Sequence, residues 1–323
     1  MDSFSEGKKA LVAIQCTAYN HSQYIRQTLD GFVQQKTNFP FVAIVHDDAS
    51  TDGTDKIIKE YAEKYPDIIL PIYEKENQYS KHDGTLRKIM NDACDALGVK
   101  YIALCEGDDY WIDPLKLQKQ VDFLESHKNY SMCVTNSWNL EHDTLTPSKW
   151  NVKNDRDLSI EEIILNGGLF IATASLVFRR SIHRELPDET IALHVGDYPL
   201  QIFMAYKGNV RMLADNTCVY RIASTGSWTE KIKKNQFDYS KVSTQTQKEM
   251  FLLDTMDRLT NYKYTDSFKK RKNLYSYNAN FFFKATDCLK YFIKDPATIL
   301  ANNSAIHILL SFLPKGLKQK KFR

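Results

Sequence analysis

The run Glu106-Gly107-Asp108-Asp109-Tyr110-Trp111, directly behind Tyr101-Ile102-Ala103-Leu104-Cys105, constrains this chain more than any other feature. A short apolar run closed by a glycine turn reads as a buried strand. The three carboxylates that follow repel one another, and each is driven toward its protonated form. A cation relieves that repulsion, and hard oxygen ligands select Mg2+ or Mn2+. Magnesium takes one or two protein carboxylates and completes its shell with water and substrate phosphates. Acidic pairs after strands also serve as turn formers and helix caps. Here the cluster falls beyond the carboxyl end of a strand, where open α/β sheets bind their ligands. That position favours a metal–diphosphate site.

Upstream, strand and helix patterns alternate. Strands are predicted over residues 10–16, 41–45, 68–73 and 101–105, and helices over 22–35, 54–65 and 86–97. Asp113 reads as the N-cap of a further helix with Pro114 at its first position and Leu115, Leu117, Val121 and Leu124 on its buried face. Strands separated by helices of this length imply a parallel sheet. Further strands at 130–135, 170–178, 210–213 and 217–220, with a helix at 198–206, make the sheet mixed.

Past residue 230 the pattern changes. Residues 231–323 hold 19 Lys/Arg against 7 Asp/Glu, which leaves 24 against 33 for residues 1–230. Opposite signs in the two parts suggest an acidic catalytic domain joined to a basic, surface-seeking extension. In that extension Phe281-Phe282-Phe283 and Tyr291-Phe292-Ile293 are interleaved with Lys284, Lys290 and Lys294, and the apolar stretch 306–313 precedes a basic end. The composition suits an interfacial helix on an anionic membrane, or equally aromatics packed on a domain with lysines facing solvent. The expected division is 1–229 and 230–323. Six scattered cysteines without C-x-x-C spacing read as reduced core residues of a cytoplasmic protein. No signal peptide and no spanning helix is expected.

Several pieces in order carry a resemblance. They are Cys16-Thr17-Ala18-Tyr19-Asn20, then Asp47-Asp48-Ala49-Ser50-Thr51-Asp52-Gly53-Thr54, then Glu76-Asn77, then Glu106-Gly107-Asp108-Asp109. Over roughly residues 8–228 the chain resembles the inverting nucleotide-sugar glycosyltransferases of family 2. Within them it is similar to the bacterial members that build capsule and O-antigen polysaccharides. The resemblance implies a GT-A type, Rossmann-like α/β fold with a mixed central sheet, followed by a helical carboxyl-terminal extension. It implies a UDP-sugar donor, an Mg2+ or Mn2+ ion, and a glycan or lipid-linked oligosaccharide acceptor, the latter reached at the inner face of the plasma membrane.

The same resemblance implies residue roles. Thr17, Tyr19, Asn20, Asp48, Ser50, Arg87, Glu106 and Asp108 bind the nucleotide, with Asp48 accepting the N3–H of uracil. Asp109, together with Asp108, ligates the metal. Glu106 departs from the family's usual aspartate at the first position of the D-x-D-D run. The long stretch 76–84 also departs from a shorter Asn-x-Gly loop, and either Lys81 or Arg87 reaches the diphosphate from there. Asp197, in Gly196-Asp197-Tyr198-Pro199-Leu200, is the expected catalytic base. Its bland alternative is a helix cap before Pro199. Arg221 and Trp228 belong to a loop expected to close over donor and acceptor, with a structural ion pair as the other reading of Arg221. His183 and His194 read as structural.

Other classes fit less well. A dinucleotide-dependent dehydrogenase needs G-x-G-x-x-G after the first strand, and Thr17-Ala18-Tyr19-Asn20-His21 stands there instead. A phosphotransferase with an aspartyl nucleophile would use Asp47 or Asp48. A non-catalytic glycan-binding relative would have no need of Asp108, Asp109 and Asp197 together. No nucleic-acid reading motif accompanies the basic extension.

Overall fold

The computed structural model describes residues 9–193, 195–225, 227, 230, 234–235, 238–280 and 294. The chain divides into two compact units, residues 1–233 and 234–323.

In the first unit the elements run β1 (Val12–Ala18), α1 (Ile25–Val33), β2 (Phe41–Asp47), α2 (Thr54–Lys64), β3 (Ile69–Tyr73), α3 (Thr85–Leu97), β4 (Tyr101–Leu104) and β5 (Tyr110–Trp111). They continue with α4 (Lys116–Ser126), β6 (Tyr130–Glu141), β7 (Thr144–Pro147), β8 (Arg156–Leu158), α5 (Ile160–Asn166), β9 (Val177–Arg179), α6 (Arg180–His183), α7 (Asp197–Lys207) and β10 (Asn209–Arg221). The strands form one sheet in the order β3-β2-β1-β4-β9-β6-β10-β5, with β7 on β6 and β8 on β10. The half from β3 to β4 is parallel. β9 runs antiparallel to β4 and β6, and β5 antiparallel to β10, so the sheet is mixed as expected.

Consecutive β1 residues Val12, Ala13 and Ile14 are all 0% exposed. Burial on both faces explains a continuous apolar run where a half-exposed strand would alternate. On α1, Ile25, Leu29 and Phe32 recur at helical spacing and are sealed in the core. On α4, Leu117, Val121 and Leu124 do the same. β1 lies between β2 and β4, so the strand order reverses there. That reversal opens a crevice at the carboxyl ends of β1 and β4.

Several elements differ from expectation. The two strands predicted at 210–213 and 217–220 are one strand, β10, with register shifts between Leu213 and Cys218. A bulge breaks the side-chain alternation on which the sequence reading relied. The apolar run 170–178 is strand only at Val177–Arg179, because Thr173–Ser175 forms a 3-10 turn. Asp113 is not the N-cap of α4. Its Oδ1 accepts the Leu115 N–H at 2.8 Å, and the helix begins at Lys116.

β5 escaped the sequence reading, since two residues carry no periodicity. The Trp111 indole donates to the Ala174 carbonyl at 2.8 Å and meets Phe32 edge-on at 5.1 Å. Gly31 lets α1 approach: a Cβ there would stand 2.9 Å from the Trp111 carbonyl oxygen and 3.0 Å from its nitrogen. Alanine gains about 1 kcal/mol of helix propensity, but overpacking against backbone costs ~1–3 kcal/mol. Gly31→Ala should therefore lower stability by up to about 2 kcal/mol net, read as a lower urea midpoint at unchanged slope. An unchanged midpoint would mean that α1 and β5 separate easily.

In the second unit, Asp238 caps helix Tyr239–Leu259 by accepting the Lys241 N–H, and helix Thr265–Asn280 follows. Among the described residues, no helix is long and apolar enough to cross a membrane. The aromatic and basic end, apart from Lys294, lies outside the described residues. Five described cysteines are buried with free thiols.

Candidate active site

Three elements hold the acidic turn between β4 and β5. The Gly107 N–H donates to the Thr17 carbonyl at the end of β1 at 2.9 Å. From α1, the Thr28 hydroxyl lies 3.0 Å from the Gly107 carbonyl and 2.6 Å from that of Asp109. Gly107 is obligatory for packing: a Cβ would come within 2.7 Å of His21 Nδ1 and 2.9 Å of the Ala18 Cβ.

Asp109 is fully buried. Its Oδ1 accepts the Arg221 N–H at 2.8 Å, and its Oδ2 has no hydrogen-bond partner. Burial, with Asp108 and Glu106 adding like charge, pushes its carboxyl well above the usual carboxylate range. Asp108 accepts the Ser224 hydroxyl at 2.5 Å. Glu106 stands on the floor of a cleft, open to solvent yet walled by protein. Those walls, together with Asp108 and Asp197, raise its carboxyl pKa, though solvation moderates the effect.

Arg221 arrives from the end of β10 and braces the turn. Its guanidinium donates to the Asp108 carbonyl and to Gln27, and lies over the rings of Tyr110 and Tyr24 at 4.6 and 5.0 Å. Those partners are a carbonyl, an amide and two rings, not the ion pair that was the other reading of Arg221. Trp228 and His194 lie outside the described residues.

The loops after β1 and β2 are stapled together. The Asn20 N–H donates to the Ser50 hydroxyl at 2.9 Å, and Asn20 Oδ1 accepts the Thr51 N–H at 2.9 Å. His21 and Ser22 donate through their N–H groups to Thr54 and Asp52. Asn20 takes φ +55°, a left-handed conformation that asparagine tolerates. Asn20 and Ser50 thus shape the rim on which the 48% exposed Tyr19 is displayed.

Asp48 faces the loop after β3. Its two oxygens accept the N–H groups of Gln78 and Tyr79 at 2.6 and 3.0 Å, and it is 3% exposed. Asp47 is 2% exposed. A covalent mechanism needs an accessible aspartyl oxygen, which neither residue presents. Arg87 donates Nη2 to the Thr190 hydroxyl at 2.8 Å, while its Nη1 is buried without an acceptor. It lines a cleft of about 270 Å3 that Thr17 and Tyr79 also border. His183 is held by Arg180 Nη1 at 2.9 Å and borders the same cleft.

Asp197 is the first residue of α7, after the N-cap Gly196. Its Oδ1 accepts the Tyr198 N–H at 2.8 Å and its Oδ2 the Thr173 hydroxyl at 3.0 Å. With Thr17 and Glu106 it lines a cleft of about 340 Å3. The sequence reading missed Thr28, His21, Tyr24, Gln27, Thr173 and Ser224. Thr28, a polar residue on the buried stripe of α1, was the one detectable signal.

A strand-order crevice carrying an acidic turn on one wall and a second acid on the other defines a GT-A glycosyltransferase. The sequence profile described as "Glycosyl transferase family 2" matches residues 14–186, more than half of the chain, and the chain belongs to that family. The uncharacterized protein Rv1520 of Mycobacterium tuberculosis (strain ATCC 25618 / H37Rv) is 37% identical over 223 residues, 67% of this chain and 60% of its own length. This chain thus spans about 60% of that relative. The E. coli UDP-Glc:alpha-D-GlcNAc-diphosphoundecaprenol beta-1,3-glucosyltransferase WfaP is 32% identical over 118 residues, 36% of this chain and 43% of its own. Among solved structures, S. aureus TarS superposes with a TM-score of 0.56 at 14% identity, covering 94% of this chain and 81% of TarS. Its complex with UDP-GlcNAc superposes at 0.53 and 15% identity, covering 83% and 80%. The likeness to TarS shows the shared fold.

Proposed function

We propose that this chain is an inverting glycosyltransferase moving a hexosyl group from a UDP-sugar to a hydroxyl of a glycan or lipid-linked oligosaccharide in bacterial surface polysaccharide synthesis. One observation carries the reading: Thr17, Glu106 and Asp197, from three separate parts of the chain, border a single cleft. The printed activity of WfaP and the UDP-GlcNAc complex of TarS support a uridine donor.

In this mechanism the acceptor oxygen attacks the anomeric carbon from the face opposite the nucleotide. The new C–O bond forms as the bond to the diphosphate breaks, and the acceptor proton passes to Asp197. Thr173 and the Tyr198 N–H hold that carboxylate in position. On the donor side, Tyr19, Arg87, Asp108 and Glu106 surround the nucleotide and diphosphate. Asp48 acts by fixing Gln78 and Tyr79 in the base-side wall, with Asn20 and Ser50 shaping the opposite rim.

No three His, Cys, Asp or Glu side chains among the described residues form a ready cage for a metal. The residues fit an ion bound jointly with a diphosphate, because one buried oxygen, Asp109 Oδ2, lacks a partner and Asp108 lies beside it. Mg2+ or Mn2+ held there would neutralise the leaving diphosphate. The basic residues of 231–323 would draw the enzyme to an anionic, cytoplasmic membrane face where lipid-linked acceptors reside.

Calorimetry with UDP and Mn2+ tests the reading. Binding that requires both is expected, and intact protein that takes up neither would refute it.

A further inference from the structure

Beside Asp197 a second recess, about 40 Å3, opens from the main cleft. It shares Gly168, Leu169, Thr173, Asp197 and Tyr220 with that cleft but none of the donor-side residues Thr17, Tyr79 or Glu106. Its own floor comes from β6. Ser137 and Asn139 are two apart on that strand, so both present to the same face, and Asn139 stands opposite Tyr220 in the register with β10.

The hydrogen-bond inventory of this corner is uneven. The Asn151 side chain clamps the backbone of Ser137 through both its oxygen and its nitrogen, at 3.0 and 2.9 Å. The Asn136 amide donates to the carbonyls of Val152 and Ala214. Ser148 accepts the Trp150 N–H. By contrast, the Ser137 hydroxyl and the Asn139 amide, which both border the recess, have no hydrogen-bond partner among the described residues. Both side chains border the recess rather than being sealed in the core, so a ligand entering it meets an unused hydroxyl and amide on one face of β6. Among the described residues no lysine, arginine or histidine lines the recess, and the one charge there is the Asp197 carboxylate. An anionic group placed there would be repelled without compensation. Leu169, 59% exposed, offers an apolar surface at the rim.

We propose that this recess is the acceptor subsite, and that Ser137 and Asn139 select an acceptor sugar by receiving one small uncharged polar substituent of its ring, a hydroxymethyl group. The assignment rests on the glycosyltransferase reading above. The recess exceeds the roughly 10–15 Å3 that a water needs but cannot hold a pyranose, so the ring itself lies in the main cleft against Leu169. The ring hydroxyl to be glycosylated then faces Asp197.

Saturation-transfer NMR on full-length protein with UDP and Mn2+ tests the proposal with three probes. Methyl β-glucopyranoside carries the substituent, methyl β-xylopyranoside lacks it, and methyl β-glucuronide replaces it with a carboxylate. The glucoside should give the strongest transfer, centred on its C6 protons, and the other two should be weaker by about three-fold or more, the loss of one hydrogen bond or the gain of one repulsion. Asn139→Leu should reduce the glucoside to the xyloside level with UDP affinity unchanged. Leu169→Ala, at an exposed position that the fold tolerates, should weaken glucoside and xyloside alike. Equal signals from all three probes, no signal from any, or a glucoside signal unaffected by Asn139→Leu would overturn the assignment. Failure of wild-type protein to bind UDP would instead strike the glycosyltransferase reading itself.

Discussion

Asp197→Asn should reduce sugar transfer by about 100- to 10,000-fold, the range for loss of a general base, while UDP and Mn2+ binding stay at wild-type levels. The amide keeps an oxygen for the Tyr198 N–H, and its nitrogen can donate to the Thr173 hydroxyl, so the start of α7 is preserved. What it loses is the capacity to take the acceptor proton. Single-turnover transfer measured beside calorimetry separates the two effects. A variant that fails to bind donor would show that Asp197 organises the cleft, and the base would have to be sought elsewhere.

Asp109→Asn should split stability from activity. In the metal-free protein the Asp109 carboxyl is sealed beside two other acids with one oxygen unpartnered. Asparagine retains the acceptor for the Arg221 N–H and replaces the unpartnered oxygen with a neutral NH2 that neither neighbouring carboxylate repels. Relief of one unsatisfied buried group is worth about 1–3 kcal/mol, and each kcal/mol raises Tm by ~2–4 °C in a domain of this size. The sign with pH follows from the raised folded pKa. The wild-type advantage of holding a protonated Asp109 is present at low pH and lost as pH rises through that pKa. The variant has no such loss, so its Tm lead should widen from pH 5 to pH 8. Transfer should fall by about 100- to 1,000-fold, the usual cost of removing one preorganised electrostatic contact. A variant less stable than wild type at pH 8 without metal would show that Asp109 serves the fold rather than a ligand.

The acidic turn, the strands β1 to β4 and their helices were legible in the sequence because their signals are local. A sealed strand reads as a continuous apolar run, and α1 and α4 each show one apolar stripe. Two-residue β5 and bulged β10 were misread because neither sustains a period. Asp113 was misplaced because a side chain bonding two residues ahead resembles a cap in sequence alone.

The deeper divide lies at the site. Residue type and order alone determined that this chain has a parallel α/β half, an acid cluster where its strands end, and a further acid at the start of a later helix. Only the tertiary structure decided what those acids touch. Asp109 is held by an N–H 112 residues away, Asp48 is turned toward the Gln78–Tyr79 backbone, and Asp197 is brought to the cleft bordered by Glu106. Strand pairing and loop closure set those meetings. They depend on which distant backbone arrives at a given place, and no local pattern of side chains encodes it.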